Sequence, residues 1–575
     1  MSHSGLISTL LSAVLFMAAV AYVAYLKTRG EVATRDGYFL AGRGLTGTFI
    51  SGSMLLTNLS AEQLIGLNGS AFGFNMSAMA WEVTAGISTI VMALVFLPRY
   101  LAGAFSTLPE FLADRFDDTV RRMTAILFLL GYTLVTIPSV LYSGSLAVMR
   151  LFDVPALLGQ SYEVSLVITI VLIGTIGAVY AVFGGLRAVA VSDTLNGIGL
   201  LLVGALIPVL GLIALGDGSF TAGVATIVSE DTHKLNAIGS AEDPVPFGTL
   251  FTGMILANLF YWGTNQYVIQ RTLGAKNLAE GQKGVLFSGF LKLLVPFFMM
   301  LPGVIAYHLY KEEGFRSIDL AYPQLVRDVL PGYLSGFFLA VLLGAVFSSF
   351  NSLLNSAATL FCLDIYAPLR KKPLSDQQLI GTAKLASLLL ALLSFLISPL
   401  LMYAPEGLWQ IIRLFTGFYN IPVIAVVLVG LFTRRVPASG AKLAIIFHVI
   451  AYGLLNFVWK PELNFIHSYA VLFSIEVAIM LVVGQQRPRP QPWQFRREPT
   501  VNLVPWRYAL PCATVLAASI IGLYLVFSPL GLVDGVSGLF WAALGILLVL
   551  TAGLCVLSLR RWVQRYELSL DAIGR

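Results

Sequence analysis

Apolar runs of roughly 20 residues recur along nearly the whole chain, each long enough to cross a bilayer as a helix. In hydrocarbon every backbone N–H and C=O must bond within the protein, so such runs predict an all-α, polytopic membrane protein. The charge content agrees: 11% of the 575 residues are charged, against about 25% in a soluble domain. Taken between polar or Gly/Pro-rich breaks, the runs predict fifteen transmembrane helices. They lie at 6–26, 45–68, 76–98, 123–149, 163–184, 188–214, 246–270, 284–309, 331–364, 379–401, 407–432, 441–459, 463–484, 508–529 and 535–559.

The first run has no basic segment before it, and Lys27 and Arg29 follow it. That order predicts a retained helix with its N-terminus outside, not a cleaved signal peptide. Alternating sides from there places 28 of the 36 Lys and Arg in inner loops, Arg115 and Arg271 among them, and six in outer loops, Lys234 among them. Lys292 and Arg413 fall inside spans. A missed helix would invert every later loop and erase this bias, so the positive-inside rule supports the count and a cytoplasmic C-terminus. The net charge of +6 sits in these loops, which is a topology signal and argues against a nucleic-acid partner. Cys362, Cys512 and Cys555 have neither disulfide nor metal spacing. The absence of metal-ligand spacing, nucleophile elbow and phosphate loop argues against an enzyme. The segment 485–507, rich in Pro, Arg and Gln, reads as an inner linker before two peripheral helices.

A charge at mid-membrane costs about 2.5–3.5 kcal/mol on insertion scales, so polar groups there need a partner, a wet cavity or a task. The second run carries Thr57-Asn58-Leu59-Ser60-Ala61-Glu62-Gln63, then Gly66, Asn68 and Gly69. It reads as a helix unwound midway, its freed backbone groups lining a site. Five helices later, Asn258-Leu259-Phe260-Tyr261-Trp262-Gly263-Thr264-Asn265-Gln266 is a second polar interruption. Two such spans in matching positions of two five-helix halves point to an inverted-repeat transporter. The ninth run adds Ser348, Ser349, Asn351, Ser352, Asn355 and Ser356. Serine hydroxyls with carbonyls from an unwound neighbour would make a neutral oxygen cage for a hard monovalent cation; the alternative is that the small residues only permit close helix packing. Glu82 and Lys292 either pair with each other or hold solute hydroxyls. Glu476 and His448 read as interhelix hydrogen bonds, and Asp193 as an ion-exit group or a helix cap.

These stretches resemble the solute:sodium symporter family, the group of the sodium/glucose symporters, and are nearest in pattern to its bacterial sodium/galactose members. The resemblance rests on Gly37 to Arg43, Asn58 to Gln63, Tyr180 to Leu186, Tyr261 to Gln266, Gln270 to Leu273, Ser348-Ser349 and Asp364-Ile365-Tyr366. It covers about residues 35–435 and implies a leucine-transporter-like core at 45–435, with repeats at 45–214 and 246–432, broken first and sixth core helices, and peripheral helices in 1–44 and 436–575. It implies Na+ held by the Leu56, Leu59 and Ala345 carbonyls and the Ser348 and Ser349 hydroxyls. It implies solute contacts from Asn58, Gln63, Glu82, Asn258 and Lys292, with Tyr261 closing the inner side. Asp193, Asn351 and Ser352 mark an ion exit or a second sodium. Two positions depart from the galactose-type pattern: Ala85 replaces a serine and Arg413 a glutamine. Arg413 either favours an anionic sugar, by bidentate carboxylate binding, or pairs with an acidic residue and leaves specificity untouched.

The expectation is therefore a sodium-coupled symporter of a small polar solute, a sugar or sugar derivative that includes sugar acids, with an amino acid or carboxylate as the alternative solute, in a bacterial inner membrane, with no obligatory protein partner. A proton-coupled carrier of the same fold is the first rival, disfavoured by an ion site without a titratable group; a membrane sensor is the second.

Overall fold

The computed structural model describes residues 3–28, 40–315, 318–370, 374–403, 408–494 and 499–573. Gly37, Tyr38 and Phe39, which open the first motif, lie outside the described residues, as do Arg496 and Arg497 of the linker. The architecture is helical throughout: α1 (His3–Thr28), α2 (Gly47–Asn58), α3 (Ala61–Gly73), α4 (Met76–Ala102), α5 (Leu108–Arg115), α6 (Asp118–Met149) and α7 (Tyr162–Leu215). Next come α8 (Gly253–Gly263), α9 (Gln266–Leu273), α10 (Leu278–Lys292), α11 (Val295–Tyr310), α12 (Gly332–Leu369), α13 (Asp376–Met402) and α14 (Leu408–Phe432). The chain ends with α15 (Ala438–Trp459), α16 (Phe465–Gln486), α17 (Ala509–Val533) and α18 (Gly538–Ile573).

Among the described residues, ten helices are long and apolar enough to cross a membrane, or eleven if the pair α10–α11, bent by 46°, is one span. This count, taken over the described residues by length and composition, does not confirm the expected fifteen. The interrupted runs divide into halves too short for the test. The break expected between 184 and 188 does not appear as a gap in helical backbone: α7 runs for 54 residues. It is nevertheless not one straight rod. A Cβ at Gly177 would touch Phe347 and Phe350 of α12, and Asp193 lies by an Arg271 that bonds Ser352 of the same helix. Positions 177 and 193 would stand about 24 Å apart along a straight helix, yet both meet one short stretch of α12.

Caps tie elements together. Asn277 accepts the Glu280 N–H (2.8 Å) to start α10, and Glu280 accepts the Gly47 N–H (2.7 Å) at the start of α2. Ile50 lies so close to Gly284 that a Cβ there would sit 2.6 Å from it; a small residue lets the two backbones approach. The core centres on α12. Its most apolar stretch is 89% buried by protein, against 6% in α18, whose leucines and valines face outward.

Three inner- or outer-loop cations of the topology count are buried instead. Arg115 caps the end of α14 by donating to the Gly430, Thr433 and Val436 carbonyls. Lys234 donates to the Phe72 and Phe74 carbonyls at the end of α3. Arg271 is described below. The 485–507 linker is docked at both ends. Trp493 Nε1 donates to Asp114 (2.9 Å) and Arg489 to the Arg115 carbonyl, while the Asn502 carbonyl accepts Leu278 N–H and Trp506 N–H donates to Gln282.

Candidate functional site

The second run breaks where its polar residues cluster. α2 ends at Asn58; Leu59 (ψ 80°) and extended Ser60 (ψ 170°) separate it from α3. Ser60 N–H donates to the Asn58 carbonyl at 3.0 Å. In an unbroken helix that amide would bond the Leu56 carbonyl, so the break deprives Leu56 of its helical donor. The second break lies at Thr264-Asn265. Tyr100 OH donates to the Gly263 carbonyl (2.9 Å) there, and Tyr132 OH to Asn265 Oδ1. Tyr132 stands in a one-turn π-helix of α6, a local widening common at functional sites.

One turn of α4, Trp81 to Thr84, gathers the solute-side residues. Glu82 is 2% exposed and Lys292 fully buried, and they form an ion pair. Gln63 Nε2 donates to the other Glu82 oxygen at 2.9 Å. Burying a charge is tolerable only when it is paired and hydrogen-bonded, and here both carboxylate oxygens have a partner. Lys292 ends α10, where a helix favours a cation. Asn258 Nδ2 donates to Thr84 Oγ1 (2.8 Å). The Arg413 guanidinium lies 4.3 Å from the centre of the Trp81 ring. Tyr261 receives a hydrogen bond from Tyr267 OH (2.8 Å) and interacts with Asn58. Gln63, Glu82, Asn258, Lys292 and Arg413 therefore meet around one turn, while Tyr261 meets Asn58 at the helix break.

On the ion side, Ala345, Ser348 and Ser349 are at most 3% exposed and face protein. The Ser349 hydroxyl oxygen is buried and has no hydrogen-bond partner within the protein, while the buried Ser348 hydroxyl lies beside the Asp193 carboxylate. A buried hydroxyl lone pair of this kind has the chemistry of a ligand for a hard monovalent cation. Asp193 and Ser352 meet a different cation. Ser53 donates to Asp193 Oδ2 at 2.7 Å. Arg271, fully buried, donates to Ser53 Oγ (3.1 Å), Ser352 Oγ and the Tyr267 carbonyl, and its guanidinium lies 4.0 Å from Asp193. Asn351, the neighbour of Ser352 in α12, is buried.

Arg271, Ser53, Trp81 and Thr84 were missed as site residues. Arg271 follows a polar break, so hydropathy assigns it to a loop. The other three carry no charge, and nothing in their local sequence sets them apart. Glu476 and His448 bond as expected, Nδ1 to Oε1 at 2.5 Å, and His448 Nε2 meets the Gly417 carbonyl at 3.0 Å.

The family model described as "Sodium:solute symporter family" matches residues 38–447. The chain is 41% identical over 560 residues to the Escherichia coli protein named "Uncharacterized symporter YidK", covering 97% of each chain. It is 32% identical to the sodium/glucose cotransporter of Vibrio parahaemolyticus, over 78% of this chain and 84% of that one. It is also 32% identical to human sodium/myo-inositol cotransporter 2, over 80% and 70% respectively. Among solved structures, a Na+-coupled sialic acid symporter superposes with a TM-score of 0.71 at 22% identity, covering 85% of this chain and 99% of that one. That likeness carries the fold, an all-α membrane bundle with a leucine-transporter-like core and two broken helices. From the span of the family match and the near full-length relative, the chain belongs to the sodium:solute symporter family and is a sodium-coupled symporter.

Proposed function

We propose that this symporter imports a small hydroxyl-rich solute, a sugar or sugar derivative, by alternating access across a bacterial inner membrane, with the C-terminus inside. Residues 45–435 form the transport core in this reading. The observation that carries it is the convergence of amides and an ion pair on the Trp81–Thr84 turn, with Tyr261 against Asn58 at the helix break. Amides and charges of this kind read hydroxyls, and a ring face gives apolar contact to a pyranose. Relatives named as glucose and myo-inositol cotransporters favour the same class.

Sodium, held by the Leu56, Leu59 and Ala345 carbonyls and the Ser348 and Ser349 hydroxyls, joins the α2–α3 break to α12. That union completes the solute site between Asn58, Gln63 and Tyr261. The outer path then closes and the inner path opens. Each ligand favours the state that the other favours, which is the source of coupling. Purified protein screened by thermal shift against sugars and sugar acids, each in sodium and in potassium at one pH, tests this. Stabilisation by a sugar in sodium alone is expected. Sugar-dependent stabilisation that follows pH and ignores sodium would favour the proton-coupled rival, and no response to any sugar would overturn the substrate class.

A further inference from the structure

In the topology proposed above, α9 is the inner half of the second broken helix, and all eight of its residues are buried. Its contacts are polar. Gln270 accepts from Ser356 Oγ (2.7 Å) and donates to Thr359 Oγ1 (3.2 Å), and Arg271 bonds Ser352, so the 352–359 stretch of α12 holds it along one side. At its start, Tyr132 OH of α6 donates to Asn265, and Gln266 Oε1 accepts the Leu108 N–H of α5 at 2.9 Å.

Leu108 is the first residue of α5, and its N–H is one of the donors that a helix start leaves without an acceptor in its own helix. The neighbouring Ser106 and Glu110 N–H groups are met locally, by Glu110 Oε2 (2.7 Å) and Thr107 Oγ1 (3.1 Å). Leu108 N–H is met instead by a side chain 158 positions away in sequence. Both partners are buried, so water does not replace the acceptor while they stay together.

The other side of this contact is bolted to α12. Asp364, fully buried, accepts on one oxygen from Thr107 Oγ1 (3.0 Å) and Arg121 Nε (2.7 Å), and Arg121 also donates to the Leu363 carbonyl (2.7 Å). Thr107 is the N-cap of α5. Ionised partners make these bonds strong. The Gln266 bond is neutral and single, since Gln266 Nε2 has no partner within the protein. It is the member of the set that can open and re-form while the ion pair behind it stays. The Asp364-Ile365-Tyr366 motif, which ion and solute binding leave unused, thereby acquires a role.

We propose that Gln266 is a positioning residue that latches α9 to the start of α5 and keeps the inner path shut, with Asp364 and Arg121 holding the catch on α12. The proposal rests on the alternating-access reading above, in which sodium without solute keeps the broken helices on α12.

Asn355 can report the motion. It lies between Ser352 and Thr359, which both bond α9, and is 5% exposed. Its side-chain amide bonds nothing within the protein, so Asn355→Cys removes no hydrogen bond. With Cys362, Cys512 and Cys555 replaced by alanine, labelling of this thiol by a water-soluble maleimide is timed in the solubilised full-length protein, in sodium and in potassium. The parent is expected to label about tenfold slower in sodium. Gln266→Met, apolar and similar in size, should raise the rate in sodium about tenfold. Gln266→Glu, which restores an acceptor for Leu108 N–H, should return it towards the parent rate, a rescue that packing alone does not give. The unfolding temperature of each variant reports whether it folds. Hydrogen–deuterium exchange of the unaltered protein is a second measurement that needs no variant: segments 107–112 and 264–273 should gain exchange together when potassium replaces sodium. A Gln266→Met rate equal to the parent's, no rescue by glutamate, or exchange that rises in 264–273 without 107–112 would overturn the latch alone. Labelling and exchange that ignore sodium in the parent would overturn the alternating-access reading and the latch together.

Discussion

Ser349 presents a buried hydroxyl oxygen with no partner inside the protein. If that oxygen belongs to the sodium shell, Ser349→Ala removes one ligand from a neutral cage and leaves helix packing intact. The half-saturating sodium concentration for uptake should rise about tenfold, equivalent to about 1.4 kcal/mol, with the membrane level of protein unchanged. Sodium-driven uptake with unaltered sodium dependence would end the assignment. The Glu82–Lys292 pair makes a different prediction. Glu82→Gln leaves a buried ammonium without its counter-charge, which costs about 3–5 kcal/mol. The detergent-solubilised variant should unfold at a clearly lower temperature. Pairing it with Lys292→Met should recover the unfolding temperature and not the uptake. Recovery of uptake as well would mean that the pair is only structural.

Between elements, Arg271 ties α9 to α2 through Ser53, to α12 through Ser352 and to α7 through Asp193. These segments flank the ion side, so a cycle that moves the broken helices against α12 must load or release this clamp. Lysine keeps the charge but lacks the planar fork that reaches several acceptors at once. Arg271→Lys should fold and reach the membrane yet slow the initial uptake rate at least tenfold; a normal rate would remove the clamp from the mechanism. The two helix breaks were legible because Asn58-Leu59-Ser60 and Thr264-Asn265 are polar in an apolar setting. The clamp was not legible. Its arginine lies after a break, where a charge reads as a loop residue, and its partners sit more than 75 positions away in sequence. Residues 162–215 were expected as two spans with a gap between them, but the backbone of α7 is helical across that gap, because Gly-Gly weakens a helix without forcing it to end.

For the whole molecule, sodium and solute binding must be linked. If saturating sodium tightens solute binding by some factor, saturating solute must tighten sodium binding by the same factor. Titration calorimetry of each ligand, with and without the other, checks the equality. Unequal factors at equilibrium would mean that the two ligands do not share one two-state element. The peripheral helices also enter at this scale. α15 and α16 hold the α14 turn through Tyr452, Tyr469 and His448, and the 485–507 segment docks on α5 and α10. The His448–Glu476 bond was readable from the sequence, but nothing in composition marked Tyr452 and Tyr469, single polar atoms in apolar helices, or the docking of 485–507, whose Pro and Arg content resembles free linker.

Hydrophobic period and length are local properties, and bilayer thickness converts them directly into spans. The chain alone therefore determined an all-helical membrane protein, the position of its broken helices and the residue types at its core. Pairing is not local. Which carboxylate meets Lys292, which cation meets Asp193 and what fixes Arg413 depend on helices brought together from distant parts of the chain. Those contacts follow from packing geometry, through glycines that admit close backbones and turns that set the level of each side chain, and only the tertiary structure decided them.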